Sequence, residues 1–285
     1  MYVLHREEYL KYKPIAESFE ETTLKKFKEK KIKKLYIPEE QEADYLKFLD
    51  NALESLEQRS NPLASRAAFA ADTMNQEADQ IGKALDNENN YKQSEARITK
   101  VVDFLLGEPK ALVSMLASAG HSVDTSQHSS TVSNMALAMA AHMKASKEEL
   151  MDIAVAALLH DSGLAKLGFS SGVNYSSLSK EQKAKFKTHP AEAMEQISGK
   201  KFIQARVLRL IQDHEEYGEG LGYPDKKWYK SLSLDSQIFN LADALDHHAM
   251  IKGKTPAEAL EDFINERGDH FEFQLLEILE KKIKA

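Results

Sequence analysis

Along most of this chain apolar residues recur at three- and four-residue steps, the spacing that lines one face of a helix. From Glu39 onward Leu46, Leu49, Leu53 and Leu56 hold such a face, and Asn61-Pro62 punctuates it. A second helical stretch reaches about Lys83, the polar DNENN segment at 86–90 suits a solvated turn, and Gly107-Glu108-Pro109 closes the next. From Ala111 to the end nearly every segment reads as an amphipathic helix with short loops. The amino-terminal part departs from this. Residues 2–12 and KKLYIP at 33–38 carry β-favouring Tyr, Val, Leu and Ile on either side of a polar helical pattern at about 20–31. The patterns predict a mainly α chain: a small α/β module over 1–56, a helical connector over 57–110 and a helical domain over 111–285.

Composition narrows the chemistry. A chain of 285 residues with 42% apolar and 29% charged residues is sized for one large or two modest folded domains. Lys plus Arg (38) against Asp plus Glu (45) gives a net charge of −7, so no broad cationic surface is on offer to duplex nucleic acid. With no cysteine there is no disulfide, thiolate zinc site, iron–sulfur cluster or thiol nucleophile, and any metal must be held by imidazole and carboxylate. The amino terminus MYVLHREEYLKYK lacks the apolar core and cleavage site of a leader, and the longest apolar run, Ile153 to Leu159, is too short to span a bilayer. The expected address is the cytoplasm.

Histidine and aspartate fall on the inward faces of the later helices. His128 sits one turn before Val132 on the stripe completed by Met135, Met139 and Met143. The stripe Leu150, Ile153, Ala157 and Leu158 runs straight into His160-Asp161, before Gly163 is expected to stop that helix. Ile203, Val207 and Leu210 lead to His214, and Asp243 lies at the margin of a face made by Ile238, Leu241, Ala242 and Leu245. His189-Pro190 adds a loop-to-helix candidate. One inward histidine is more often a hydrogen-bonded core residue than a ligand. Several ionisable groups in one core cost several kcal/mol each unless paired, and a divalent cation pairs mixed imidazole and carboxylate. The collective pattern therefore points to a metal centre.

In order along the chain stand HSSTV (128–132), HDSG (160–163), HP (189–190), DHEEYGEGLGYP (213–224), LADALD (241–246) and GDHFEFQLLEILE (268–280). Over about 120–280 this series resembles the HD-GYP family of metal-dependent phosphodiesterases that act on cyclic di-GMP. The resemblance implies an all-helical HD-domain bundle in which His128, His160, Asp161, His189, His214 and Asp243 ligate metal, with Asp161 bridging two ions. It implies two divalent ions, iron foremost and manganese as an alternative, and a third where Asp124 matches an acidic position; an Asp there is equally a helix cap. Glu215 replaces the family's second histidine before the glycines, and a carboxylate can still ligate. Leu164 stands where the family has a lysine thought to contact substrate phosphate, which leaves Lys166, two residues on, as a catalytic candidate beside Asp161. Lys252 and Lys254 match positions that present basic groups to phosphate. Tyr223, between Gly222 and Pro224, serves substrate or packs. His121, His142, His247 and His248 match no ligand position and read as surface residues or as contacts behind the ligands.

The implied activity is hydrolysis of cyclic di-GMP to linear pGpG and onward to GMP, by attack of a metal-bridging hydroxide on phosphorus. Leu164 and Glu215 motivate a second reading, a metal-containing but catalytically weak sensor that binds the nucleotide and signals through a partner. A helical scaffold without nucleotide function is a third. The module over 1–56 shows no phosphate loop or catalytic constellation and is expected to serve regulation or partner contact, a regulatory protein engaging either this module or the Gly222-Tyr223-Pro224 loop.

Overall fold

The computed structural model describes residues 2–5, 8–11, 21–30, 32, 35–118 and 122–284, and the chain divides into two compact units, 1–52 and 53–285. In the first, strands β1 (Tyr2–His5) and β2 (Glu8–Lys11) pair antiparallel, Tyr2 opposite Lys11 and His5 opposite Glu8. Helix α1 (Glu21–Glu29) follows, and Tyr36 bridges back to Tyr2 through two backbone hydrogen bonds of 2.7 and 2.8 Å. The expected second strand at 33–38 is thus this single bridge, with Lys33 and Lys34 outside the described residues. Helix α2 (Glu42–Leu53) carries Leu46, Leu49 and Leu53, of which Leu49 and Leu53 are fully buried.

The second unit is the helical bundle that the later spacing predicts. Helix α3 (Leu63–Ala84) packs against α4 (Glu88–Gly107) and α5 (Pro109–Ser118). The solvated turn expected over 86–90 is shorter, because the Asn87 side chain accepts from the amides of Asn89 and Asn90 and starts α4 at once. Helix α6 (Thr125–His142) is the centre, touching α3, α5, α7 (Lys147–Leu159) and α12 (Leu234–Lys252). It is amphipathic only in pattern. Every residue from His128 to Ala140 is buried, and Ala136, Ala138 and Ala140 let neighbours close in on all sides. Met143 lies past the helix end and is exposed, so it leaves the stripe assigned to it. The segment 57–110 packs within this same unit, α3 on α6 and α4 on α7. Buried Arg97 of α4 donates to Glu77 of α3 at 2.6 Å.

Helix α7 ends at Leu159 rather than at Gly163, and His160-Asp161 forms a two-residue break before α8 (Ser162–Leu167). Gly163 therefore lies inside α8, where a β-carbon would sit 2.2 Å from the His189 carbonyl oxygen and 2.8 Å from the Ala193 nitrogen. It is a contact point between helices, not a stop. The remaining helices are α9 (Lys180–Phe186), α10 (His189–Ile197), α11 (Ala205–Asp213), α12 (Leu234–Lys252), α13 (Pro256–Arg267) and α14 (Phe273–Ile283). Among the described residues no helix is long and apolar enough to cross a membrane.

The loop after α11 is held from beneath. Glu216, fully buried, accepts the backbone N–H groups of Asp225 (2.6 Å) and Lys227 (2.9 Å), and Asn240 of α12 donates to the carbonyls of Asp213 (2.7 Å) and Glu216 (2.8 Å). Tyr223 N–H donates to the Glu215 carbonyl at 3.0 Å, so Gly222 has no room for a side chain.

Gly163→Ala should lower stability by about 1–3 kcal/mol, the usual cost of overpacking, seen as a lower urea midpoint at unchanged m. An unchanged midpoint would mean that α8 and α10 separate without penalty.

Candidate metal centre

Two imidazoles stand directly after helix C-termini and a third opens the next helix, and each reaches back to one of the last carbonyls of the preceding helix, which have no helical partner. His160 follows α7 and its Nδ1 lies 2.7 Å from the Ala157 oxygen; His189 follows α9, with Nδ1 2.9 Å from the Phe186 oxygen; His214 follows α11, with Nδ1 2.6 Å from the Ile211 oxygen. A carbonyl only accepts, so each Nδ1 carries the proton and each Nε2 is turned inward. His128, on α6, is oriented instead by Asp246 of α12, whose Oδ2 lies 2.7 Å from its Nδ1. The same hydrogen-bond logic thus aims four Nε2 atoms at one place.

There they crowd. His189 and His214 Nε2 are 2.8 Å apart, and His128 and His160 Nε2 3.3 Å apart. Asp161 lies among them, Oδ1 at 3.4 Å from His189 Nε2 and 3.9 Å from His214 Nε2, Oδ2 at 3.5 Å from His160 Nε2 and 3.7 Å from His128 Nε2. Asp243 Oδ1 is 3.0 Å from His128 Nε2 and 3.5 Å from His160 Nε2. Glu215 Oε1 reaches to 3.8 Å from His189 Nε2. All but half-buried Glu215 are buried. Facing Nε2 lone pairs repel unless a proton or a cation stands between them, and the donor set of nitrogen and carboxylate oxygen suits a divalent ion. Three overlapping trios, His128/His160/Asp243, His160/Asp161/His214 and His189/His214/Glu215, each bring their donor atoms within 4.8 Å of one another, close enough to hold an ion.

The electrostatics are divided accordingly. Burial works against charge on His128, yet Asp243 and Asp246 outweigh it and hold the imidazole well above its ordinary value; His160 is raised against burial in the same way by Asp161 and Asp243. Burial also opposes charge on Asp161 and Asp243, but the facing imidazoles, His160 foremost for Asp161 and His128 for Asp243, keep both carboxyls well below the usual carboxylate range. At His214 burial and the neighbouring His189 and His160 act together and push the value down to about 4.

Several candidates lie elsewhere. Asp124 caps α6, its carboxylate accepting from the Gln127 amide at 3.0 Å, and belongs to none of the three trios. Lys166 points out of the bundle to Glu192 (2.7 Å) and Glu195 of α10, because those carboxylates meet its long side chain on the outer face. Lys252 pairs with Glu266 (2.7 Å) and Asp262 (3.5 Å), and Lys254 with Asp262 (3.1 Å), on the surface between α12 and α13. None of these three lysines lines the central cavity. Tyr223 does stand beside the cluster, its ring centroid 6.1 Å from that of His189, and burial and then Glu215 raise its phenol well above the ordinary value. His142 is exposed, His248 packs its ring on Phe263, and His121 lies outside the described residues.

The cavity over the cluster is small, about 40 Å³, space for roughly three waters. Its wall includes Leu164, Ser171, Tyr217, His247, Arg267 and Phe271. Ser171 donates to Asp161 Oδ2 and is linked to Thr125 at 3.1 Å. Asp246, Ser171 and Arg267 are absent from the sequence-based set. Asp246 had a signal, standing three residues after Asp243 on one helical face; Ser171 and Arg267 had none.

Residues 110–275 match the family model described as HD domain. The chain belongs to the HD domain family. A curated relative, the cyclic di-GMP phosphodiesterase response regulator RpfG of Xanthomonas campestris pv. campestris (strain 8004), is 31% identical over 137 residues. That match covers 47% of this chain and 35% of the regulator, so the chain spans about a third of that relative's length. A solved HD structure, Bd1817, a HDG"Y"P protein from Bdellovibrio bacteriovorus, aligns with a TM-score of 0.83 at 24% identity over 100% of this chain and 94% of that one, a likeness of fold.

His214 binds its proton more weakly when folded than the ordinary value of 6.5, so its contribution to stability is complete above that pH and is lost as pH falls towards about 4. In the metal-free protein, His214→Gln should flatten the decline of Tm between about pH 6.5 and 4 relative to the parent. Parallel Tm profiles would contradict the neutral, inward imidazole.

Proposed function

We propose that this HD domain is a metal-dependent phosphodiesterase of the HD-GYP type that hydrolyses cyclic di-GMP to linear pGpG and onward to GMP. The observation that carries the reading is the convergence of four Nε2 atoms on Asp161 and Asp243, a donor set that makes little physical sense without cations. His128, His160, Asp161, His189, His214, Glu215 and Asp243 would hold two divalent ions, iron foremost or manganese. Bound there, such ions lower the pKa of water and offset the charge that develops on phosphoryl oxygens.

The chain's own groups do the rest. Asp246 fixes the tautomer of His128, and the carbonyls of Ala157, Phe186 and Ile211 fix those of the other three imidazoles. Ser171 orients Asp161 through Oδ2. The cavity admits a phosphoryl group rather than a nucleotide, so the bases and riboses would lie beyond its mouth. The address in this reading is the cytoplasm, and residues 1–56 or the Gly222-Tyr223-Pro224 loop would engage a regulatory protein.

Buried Leu164 in the cavity wall favours one competing reading, a nucleotide sensor with weak turnover. The two separate in one assay. Iron- or manganese-loaded protein, kept reducing, should convert cyclic di-GMP to pGpG, and Asp161→Asn should lower the rate by about 10²–10³-fold or more. Tight binding of the dinucleotide without product would support the sensor and reject the enzyme. Asp246→Asn should weaken metal affinity by about 10–100-fold, measured by competition with a chelator; unchanged affinity would deny Asp246 its orienting role.

A further inference from the structure

Arg267 ends α13 and lines the same cavity as Asp161 and Asp243. It is half-buried, and among the described residues it makes no hydrogen bond and no ion pair. Its place is set by rings instead. The guanidinium carbon lies 5.1 Å from the centroid of Tyr217 and 5.9 Å from that of Phe263. Cation–π contact of this kind fixes the plane of the group while leaving its N–H donors uncommitted. The stack is backed by the main chain, since Gly218 N–H donates to the His270 carbonyl at 3.1 Å and the Tyr217 ring lies 5.4 Å from that of His270.

The surroundings make this arginine distinctive. Asp161, Asp243, Glu215 and Glu216 also line the cavity, and none of them is its partner. Lys166, Lys252 and Lys254 are all tied to carboxylates on outer faces, and the wall at residue 164 is leucine. Among the described cavity-lining residues Arg267 is the one side chain with a permanent positive charge. A planar fork held open beside the candidate metal ligands matches two oxygens of a phosphate.

Resting on the phosphodiesterase reading, we infer that Arg267, braced by Tyr217, forms an anion subsite that grips non-bridging oxygens of the substrate phosphodiester at the cavity wall. The subsite supplies the cation that Leu164 does not.

The test uses the metal-loaded full chain and inorganic phosphate as the probe, titrated calorimetrically at low ionic strength. Arg267→Gln should weaken phosphate binding by about 10–100-fold, the range of a lost charge-assisted pair, and Arg267→Lys should recover part of it. Metal content and Tm should match the parent in both variants. With cyclic di-GMP the Gln variant should show its loss in KM, with kcat within about threefold. Phosphate bound equally by parent and Gln variant, or by neither, would overturn the subsite; so would loss of metal in both variants, which would mark Arg267 as structural. Absence of turnover in the parent while phosphate binding still depends on Arg267 would reject the phosphodiesterase reading and leave the subsite standing.

Discussion

Everything at the centre of this bundle depends on imidazoles that reach back to the last carbonyls of the preceding helix. A terminal carbonyl without a helical acceptor role accepts a hydrogen bond from the Nδ1–H of His160, His189 or His214, and that single bond decides which nitrogen faces inward. The helix thereby caps itself and arms the site with the same atom pair. His128 departs from the rule because it lies within α6, and there the orienting acceptor is the carboxylate of Asp246 from the facing helix.

Such a device works only if the helices arrive at the right separation. Small residues on α6 and α7, among them Ala136, Ala140, Ala154 and Ala157, allow the central helices to approach closely and set His128 against His160. Gly163 lets α8 touch α10 backbone to backbone, which positions His189, and the buried Glu216 with Asn240 ties the loop after α11 to α12, which brings Tyr223 and Glu215 to the same side. Packing and chemistry are therefore the same problem here: the acids sit where imidazoles can neutralise them, and the imidazoles sit where helix ends can hold them.

The stripes of α7 and α11 made His160 and His214 legible in the chain, because a residue that follows a buried face by one turn inherits its direction. The break at His160-Asp161 was not legible; it arises from the contact of α8 with α10, and a glycine that serves close approach looks in sequence like one that ends a helix. Lys166, Lys252 and Lys254 show a different limit. Position along a motif fixes the α-carbon, whereas a long side chain swings to whichever carboxylate lies near, here those on α10 and α13. Asp246 shares a helical face with Asp243, but its partner His128 comes into view only once α6 is placed against it. Arg267 gains its place from the meeting of α13 with the loop after α11, segments far apart in the chain, and no local pattern encodes that meeting.

Helices α3 and α4 carry a consequence of their own. Ile81, Ile98 and Val101 are wholly sequestered, and α3 and α4 cover flanks of the two helices that deliver His128 and His160. Cutting the chain ahead of Ala111 would bare a greasy wall on the remaining fragment, inviting aggregation. The smallest piece fit for handling alone in solution starts before α3, outside the span that the motifs mark.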